Sequence, residues 1–128
     1  MGLAKNVLIS SKIHISKSEF DEAHQDAFKS LELYTNSDNA LPKDFIAVYN
    51  TLGMIFNYKN DFDKALEYFE KANNIAKENG KVLEESNMLS NIGITFFKKG
   101  NLEEAVTYFK KSITITDKLG LYKQKLPS

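Results

Sequence analysis

The sequence repeats itself, because residues 53–80 return forty positions later without a gap. The identical pairs include Gly53/Gly93, Phe56/Phe96, Lys59/Lys99, Ala65/Ala105, Tyr68/Tyr108, Phe69/Phe109, Lys71/Lys111, Ile75/Ile115 and Gly80/Gly120. A fixed period of about 20 to 50 residues is typical of solenoids, in which each unit buries its apolar face only against its neighbours. The repeat therefore predicts a stack of similar units, with any function on a surface that several units share.

The middle unit has the pattern of two consecutive helices. Apolar residues in 42–58 fall three and four apart, which is the spacing of one helix face, and a second such stripe covers 62–76. Pro42 suits the first turn of the first helix, and Asp61 can cap the second helix through its side-chain oxygen. Gly80 is a natural terminator. Together these signals predict a helical hairpin.

The other two units follow the same plan, with different residues at the turns and helix starts. In the last unit Gly100 provides the turn, and Asn101 with Glu104 three residues later resembles a capping box. The first unit is degenerate, and its second helix is predicted to begin at a cap formed by Ser18 and Asp21. Alternation of period two, which would indicate strands, is absent.

These patterns predict an all-α chain that forms a single domain over residues 1–128. The three hairpins are predicted at residues 3–35, 42–79 and 82–119, and residues 120–128 are interpreted as a tail or the start of a further repeat. About three repeats is the minimum that usually gives a continuous core.

Composition narrows the classes of partner. Seventeen basic residues balance seventeen acidic ones, so no overall charge favours nucleic acid or an anionic membrane surface. All the basic residues are Lys, which lacks the planar fork that Arg uses to read guanine or phosphate. No stretch approaches the ~20 apolar residues of a membrane span. We therefore predict a cytoplasmic protein with neither a nucleic-acid nor a membrane partner.

A known family pattern is visible in the middle unit. The string Tyr49-x-x-Leu52-Gly53-x-x-Phe56, followed by Ala65-x-x-x-Phe69, resembles the tetratricopeptide repeat pattern of Trp-x-x-Leu-Gly-x-x-Tyr and then Ala-x-x-x-Phe. The period of 40 to 42 residues is similar to the longer-repeat variety of that family. The resemblance implies an α-solenoid, a right-handed superhelix of about three helix-turn-helix hairpins whose first helices line a concave face. It does not imply a reaction.

The small residues of the pattern have a physical role. Gly53, Gly93, Ala65 and Ala105 are expected where paired helices approach most closely, because a larger side chain would force the helices apart. The Phe residues of the pattern are expected to fill the gaps between them, which makes the aromatic stripe a core rather than a surface for stacking bases.

A binding face follows from the resemblance. Its concave-face candidates are Lys12, Asn50, Thr51, Met54, Asn57, Asn87, Ser90, Asn91, Ile94 and Lys98. A row of Asn amides can pair with the backbone of an extended peptide whatever its sequence. Asn is also abundant throughout the chain, so composition alone would place some of them there.

We therefore predict a non-enzymatic interaction module that binds a peptide or protein segment in the groove. The alternative is a sensory or regulatory segment of a bacterial signalling or transcription-regulating protein that responds to a peptide.

Catalytic and metal-binding patterns are missing from the sequence. His14 and His24 are ten residues apart and lack the spacing of a helical metal pair, and there is no Cys. The pairs Glu84-Glu85 and Glu103-Glu104 fall near helix starts, where negative charge favours the helix dipole. No nucleophile, base and orienting group can be assembled, so we predict neither a catalytic site nor a cofactor nor a metal.

The last helix has an apolar side that no later hairpin covers in the sequence. Leu102, Val106, Ile113 and Ile115 are expected to be partly exposed there. Apolar ends of solenoids tend to be capped, to dimerise or to belong to longer arrays. This predicts self-association through the C-terminal repeat or a place in a longer array.

Overall fold

The computed structural model describes residues 2–120, and in that range it contains six α-helices and no strand. The helices are α1 (Gly2–Ser16), α2 (Phe20–Thr35), α3 (Pro42–Tyr58), α4 (Phe62–Glu78), α5 (Val82–Lys99) and α6 (Leu102–Lys118). The prediction of an all-α chain is confirmed. The tail predicted at 120–128 lies outside the described residues from position 121 onward.

The six helices form three hairpins that stack in chain order. The closest packing is within the pairs α1/α2, α3/α4 and α5/α6, and each later hairpin places its first helix against the second helix of the hairpin before it. One apolar cluster, which includes Val48 and Leu52, joins the first two hairpins. A second cluster, which includes Phe69 and Ile92, joins the last two. The core is therefore continuous along the stack, as expected for a solenoid.

The predicted close approach of paired helices is confirmed at both glycines. A Cβ atom built on Gly53 would lie 2.5 Å from Cε1 of Phe69, and one on Gly93 would lie 2.8 Å from Cε1 of Phe109. Separations this short are not found between real Cβ atoms and their neighbours, so each aromatic ring occupies the place of the missing side chain. Glycine at these positions therefore fixes the distance between the helices of a hairpin.

A residue with a left-handed backbone stands between the two helices of every hairpin. The φ angles are 62° at Ser18, 63° at Asn60 and 94° at Gly100. The prediction that Ser18 caps α2 is wrong, because Ser18 occupies this turn position, and α2 begins after Glu19 without a side-chain cap. The same turn is thus made by three different residue types.

Two further cap predictions have different outcomes. Asp61 caps α4, since its Oδ1 accepts a hydrogen bond from the N–H of Lys64 at 3.3 Å. Asn101 precedes α6, but its side chain makes no cap hydrogen bond, so the capping box with Glu104 is wrong. Pro42 lies in the first turn of α3, as predicted.

Candidate partner-binding groove

The first helices α3 and α5 lie side by side and enclose a small cavity of about 160 Å³. We call this cavity and its rim the α3/α5 groove. Its lining residues are Met54, Asn57, Tyr58, Phe69, Asn91, Ile94 and Lys98. Met54, Asn57, Asn91, Ile94 and Lys98 belong to the set predicted for the binding face, so the fold brings these five together.

Two Asn side chains connect the helices at the rim of the groove. The Nδ2 of Asn91 donates a hydrogen bond to Oδ1 of Asn50 at 2.8 Å, and Nδ2 of Asn50 lies 3.8 Å from the sulfur of Met54. Within residues 2–120 the Oδ1 of Asn91 and its second N–H have no hydrogen-bond partner. Asn91 therefore keeps one acceptor and one donor for another molecule.

Asn57 forms the deeper part of the groove wall. Its side chain is 8% exposed, and its Nδ2 donates to the hydroxyl of Thr95 on α5 at 2.9 Å. Its Oδ1 is buried and has no hydrogen-bond donor among the described residues. Asn57 thus places an unsatisfied polar atom in the wall of the groove. A buried acceptor without a donor costs free energy of folding.

Two predicted residues do not face the groove. Thr51 is 0% exposed, and its hydroxyl donates to the backbone carbonyl of Ala47 at 2.8 Å. The hydroxyl of Ser90 lies 3.0 Å from that of Ser112 and so faces the interior of the α5/α6 hairpin. The helical rotation thus turns both hydroxyls away from the cavity, with Thr51 buried and Ser90 partly buried.

Two other predicted residues are accessible but lie outside the cavity. Lys12 on α1 and Asn87 on α5 are exposed, and neither makes a side-chain hydrogen bond or ion pair with the other described residues. The structure thus presents them to solvent without joining them to the groove.

Two exposed aromatic residues, one on α3 and one on α5, were not among the predicted site residues. Tyr58 lines the groove, and the Nζ of Lys98 lies 5.5 Å from the centre of its ring. Phe97 is 62% exposed on the same helix as Ile94. Tyr58 follows Met54 by four residues and Phe97 follows Ile94 by three, so helical spacing alone would have placed them on the same faces.

A larger cavity, of about 640 Å³, lies elsewhere on the stack, between α4, α5 and α6. Its floor includes Leu89 and Ile92, and its rim carries Lys and Glu side chains of both signs. The Oδ1 of Asn73 in its wall is buried and has no hydrogen-bond partner in the part of the chain that the structure describes. None of the residues predicted for the binding face lines this cavity.

Residues 2–120 contain neither a cluster of metal ligands nor a helix suited to cross a membrane. No three His, Asp or Glu side chains in that part of the chain come together as metal ligands would. His14 contacts Glu19 at 2.8 Å, and His24 lies 3.3 Å from the Nζ of Lys59. None of the described helices combines the length and the apolar character that a membrane crossing would require.

Comparison with known proteins relates this architecture to one family. The family model described as "Tetratricopeptide repeat" matches residues 44–118. No curated protein matches the sequence at a significant level.

Several solved structures have a fold similar to that of this chain. Aspartyl phosphate phosphatase F from Bacillus subtilis superposes with a TM-score of 0.86 at 18% identity, over 92% of this chain and 30% of that one. BtubC (BKLC) from P. vanneervenii gives 0.77 at 19% identity, over 93% of this chain and 48% of that one. The TPR domain of Arabidopsis FLU gives 0.79 at 18% identity, over 91% of this chain and 97% of that one. The chain thus spans less than half of the length of the first two proteins.

Proposed function

The chain belongs to the tetratricopeptide repeat family, and we propose that it is a non-enzymatic, cytoplasmic module that holds an extended peptide or protein segment in the α3/α5 groove. Members of this fold class serve as protein-interaction modules, and the fold itself carries no reaction. The observation that carries the proposal is the hydrogen bond between Asn91 and Asn50, which aligns two amides across neighbouring first helices.

The amides suit recognition of a peptide backbone. Among the described residues Asn91 has an acceptor and a donor without a partner at the rim, and its position is fixed by the bond to Asn50. An extended peptide presents a backbone N–H and a C=O at regular intervals, so a fixed amide can pair with both. Because the amide is already held in place, less side-chain entropy is lost on binding.

The rest of the groove supplies apolar contact and one positive charge. Ile94 on α5 and Tyr58 on α3 are exposed large side chains, and Met54, which also lines the groove, can adapt its shape. Lys98 stands over the Tyr58 ring. A segment with an apolar side chain next to an acidic one would match these neighbours.

The test begins with a photo-reactive amino acid at position 94 and a displayed library of random peptides. Peptides that cross-link at position 94 are then measured against Asn50→Ala and Asn91→Ala, with Asn74→Ala on α4 as a matched control, since Asn74 is exposed away from the groove. We expect each groove variant to weaken binding by about tenfold, close to 1.4 kcal/mol, and the control to leave affinity unchanged. Circular dichroism should show that all three variants stay folded.

Equal affinity of the Asn91→Ala variant and the parent protein for a cross-linked peptide would reject the groove assignment. Peptides selected without any cross-link at position 94 would do the same, because they would bind another surface.

A second candidate function is a peptide-responsive regulatory segment of a larger bacterial signalling protein. The observation that favours it is the likeness to aspartyl phosphate phosphatase F, of which this chain spans 30%. In that case peptide binding would change the curvature of the stack and control an output domain. A kinase or DNA-binding segment in the same reading frame would support this function, and small-angle scattering unchanged by a bound peptide would count against it.

A further inference from the structure

The junction between the second and third hairpins has two contacts that define its register. Between first helices, Asn57 of α3 donates to Thr95 of α5. At the edge, the Nζ of Lys99 at the end of α5 donates to Oδ1 of Asp63 in the first turn of α4 at 2.7 Å. At this junction the later hairpin thus contributes Thr95 and, four residues after it, Lys99.

The junction between the first and second hairpins uses the same positions. Ile15 and Ile55, which stand 42 and 40 positions before Asn57 and Thr95, belong to one apolar cluster. Lys59 at the end of α3 lies 3.2 Å from Oδ1 of Asp21 in the first turn of α2, which repeats the Lys99 ion pair one hairpin earlier. Both junctions therefore pair the same positions of the repeat.

Both ends of the stack carry the corresponding residues, and within residues 2–120 no further hairpin packs against them. Forty positions after Asn57 and Asp63 stand Phe97 and Glu103. Forty-two positions before Ile55 and Lys59 stand Ile13 and Lys17 on the first hairpin. Phe97 is 62% exposed and Ile13 is 51% exposed, and both charged residues are also exposed.

The C-terminal end is more apolar than the surface it corresponds to inside the stack. Its exposed residues are Phe97, Leu102, Val106 and Ile113, which we call the trailing face. The corresponding residues in the covered junction are Asn57, Phe62, Leu66 and Asn73. Two Asn positions have thus become Phe and Ile, which makes this face more apolar than the covered one inside the stack. A large exposed apolar patch indicates an interaction surface.

The N-terminal end offers a matching surface. Ile9 and Ile13 are exposed one turn apart on α1, at the positions where α5 has Asn91 and Thr95. Lys17 follows at the end of this row. We call Ile9, Ile13 and Lys17 the leading face. The polar pair Asn57/Thr95 of the inner junction therefore corresponds to Phe97 and Ile13 at the two ends, which are both apolar.

We propose that two copies of this chain associate head to tail, with the leading face of one copy on the trailing face of the other. Ile13 of the second copy packs on Phe97, and Lys17 of the second copy pairs with Glu103, which repeats the Lys59/Asp21 and Lys99/Asp63 ion pairs. The surfaces in contact are different, so the association is heterologous and leaves one of each face free at the ends. Addition of further copies would extend the superhelix.

The test uses the full chain and two blocked variants in analytical ultracentrifugation. Val106→Glu blocks the trailing face and Ile13→Glu blocks the leading face, because each would bury a carboxylate against apolar side chains. We expect the parent protein to grow beyond a dimer as its concentration rises, and each variant alone to stay monomeric. An equimolar mixture of the two variants should form a dimer and nothing larger, because only one complementary pair of faces remains.

Charge reversal tests the register without placing a charge in an apolar surface. Glu103→Lys and Lys17→Glu should each weaken association severalfold, and the double variant should recover it. Glu104→Lys is the matched control, since Glu104 is exposed in the same turn but out of register with the ion pairs. A parent protein that stays monomeric at all concentrations would overturn the proposal, as would association in either blocked variant alone or a mixture that remains monomeric.

Discussion

The ring of Phe69 fills the space in which a side chain at position 53 would lie, because a Cβ there would be 2.5 Å from Cε1 of Phe69. Phe69 itself is 1% exposed and belongs to the apolar cluster that joins two hairpins. The distance between α3 and α4 and the docking of α5 on them therefore depend on one glycine and one ring.

Replacement of Gly53 by Ala should destabilise the protein. Alanine gains about 1 kcal/mol of helix propensity, but the overpacking of a buried ring costs about 1–3 kcal/mol. At Gly93 the corresponding contact is 2.8 Å and the Phe109 ring is only half-buried, so that ring can shift. We expect urea denaturation to show a larger loss for Gly53→Ala than for Gly93→Ala, and the reverse order would contradict this account of the packing.

In the first hairpin the side-chain sizes at the corresponding positions of the two helices are exchanged. Ser11 and Ala27 stand where the middle hairpin has Gly53 and Phe69, and both are 0% exposed. The hydroxyl of Ser11 donates to the backbone carbonyl of Ala23 at 2.7 Å. A larger residue on the first helix is thus accompanied by a smaller one on the second.

This exchange predicts coupling between positions 53 and 69. Phe69→Ala alone should cost about 3–5 kcal/mol, because it leaves a cavity. Combined with Gly53→Ser, the total loss should fall short of the sum of the single losses by about 1 kcal/mol or more. Gly53→Ser with Phe109→Ala serves as the control pair in a different hairpin and should be additive. Additivity in both pairs would mean that the two positions are not coupled.

The turn residues predict a stabilising substitution. Ser18 and Asn60 have nearly the same φ, but Asn tolerates the left-handed region better than Ser does. Ser18→Gly should therefore raise the free energy of unfolding by about 0.5–1 kcal/mol, and Asn60→Gly should change it less. Gly100→Ala should lower it by about 1–2 kcal/mol, because Ala is strained at a φ of 94°. Thermal denaturation of the three variants gives the order of their stabilities. A Ser18→Gly variant less stable than the parent protein would contradict the prediction.

The sequence predicted those features that depend on spacing and size, and missed those that depend on side-chain direction. The repeat, the hairpins and the closeness at Gly53 follow from periodicity and from the absence of a side chain, and all are confirmed. The orientation of Ser90 towards Ser112 depends on a buried cluster of hydroxyls between helices that residue spacing does not encode. The turn role of Ser18 was missed because Ser is also a common helix cap.

Candidate binding residues show the same limit. Met54, Asn57, Asn91, Ile94 and Lys98 do line one cavity, but Thr51 is enclosed by neighbouring helices although Asn50, the residue before it, is only partly buried. A single residue changes direction by about 100° along a helix, so an error of one position exchanges a surface residue for a core residue.

His24 predicts how stability depends on pH. Burial between the rings of Phe28 and Phe56 lowers the pKa of His24 below its usual 6.5, and the nearby ammonium of Lys59 lowers that pKa further. In the unfolded chain the imidazole takes up a proton near its usual pKa, while the folded protein still holds it neutral. Between these two pKa values the unfolded state binds more protons, so the free energy of unfolding falls as the pH falls.

We therefore expect urea denaturation to show a loss of stability on acidification from about pH 7 to pH 5, and a smaller loss in His24→Gln. Lys59→Met should show an intermediate loss, because burial still lowers the pKa after the neighbouring charge is gone. His14→Gln is the matched control. This variant still has His24, so it should still show the loss of stability on acidification that His24 causes. Parallel pH curves for His24→Gln and the parent protein would mean that His24 takes up its proton equally in the folded and unfolded states.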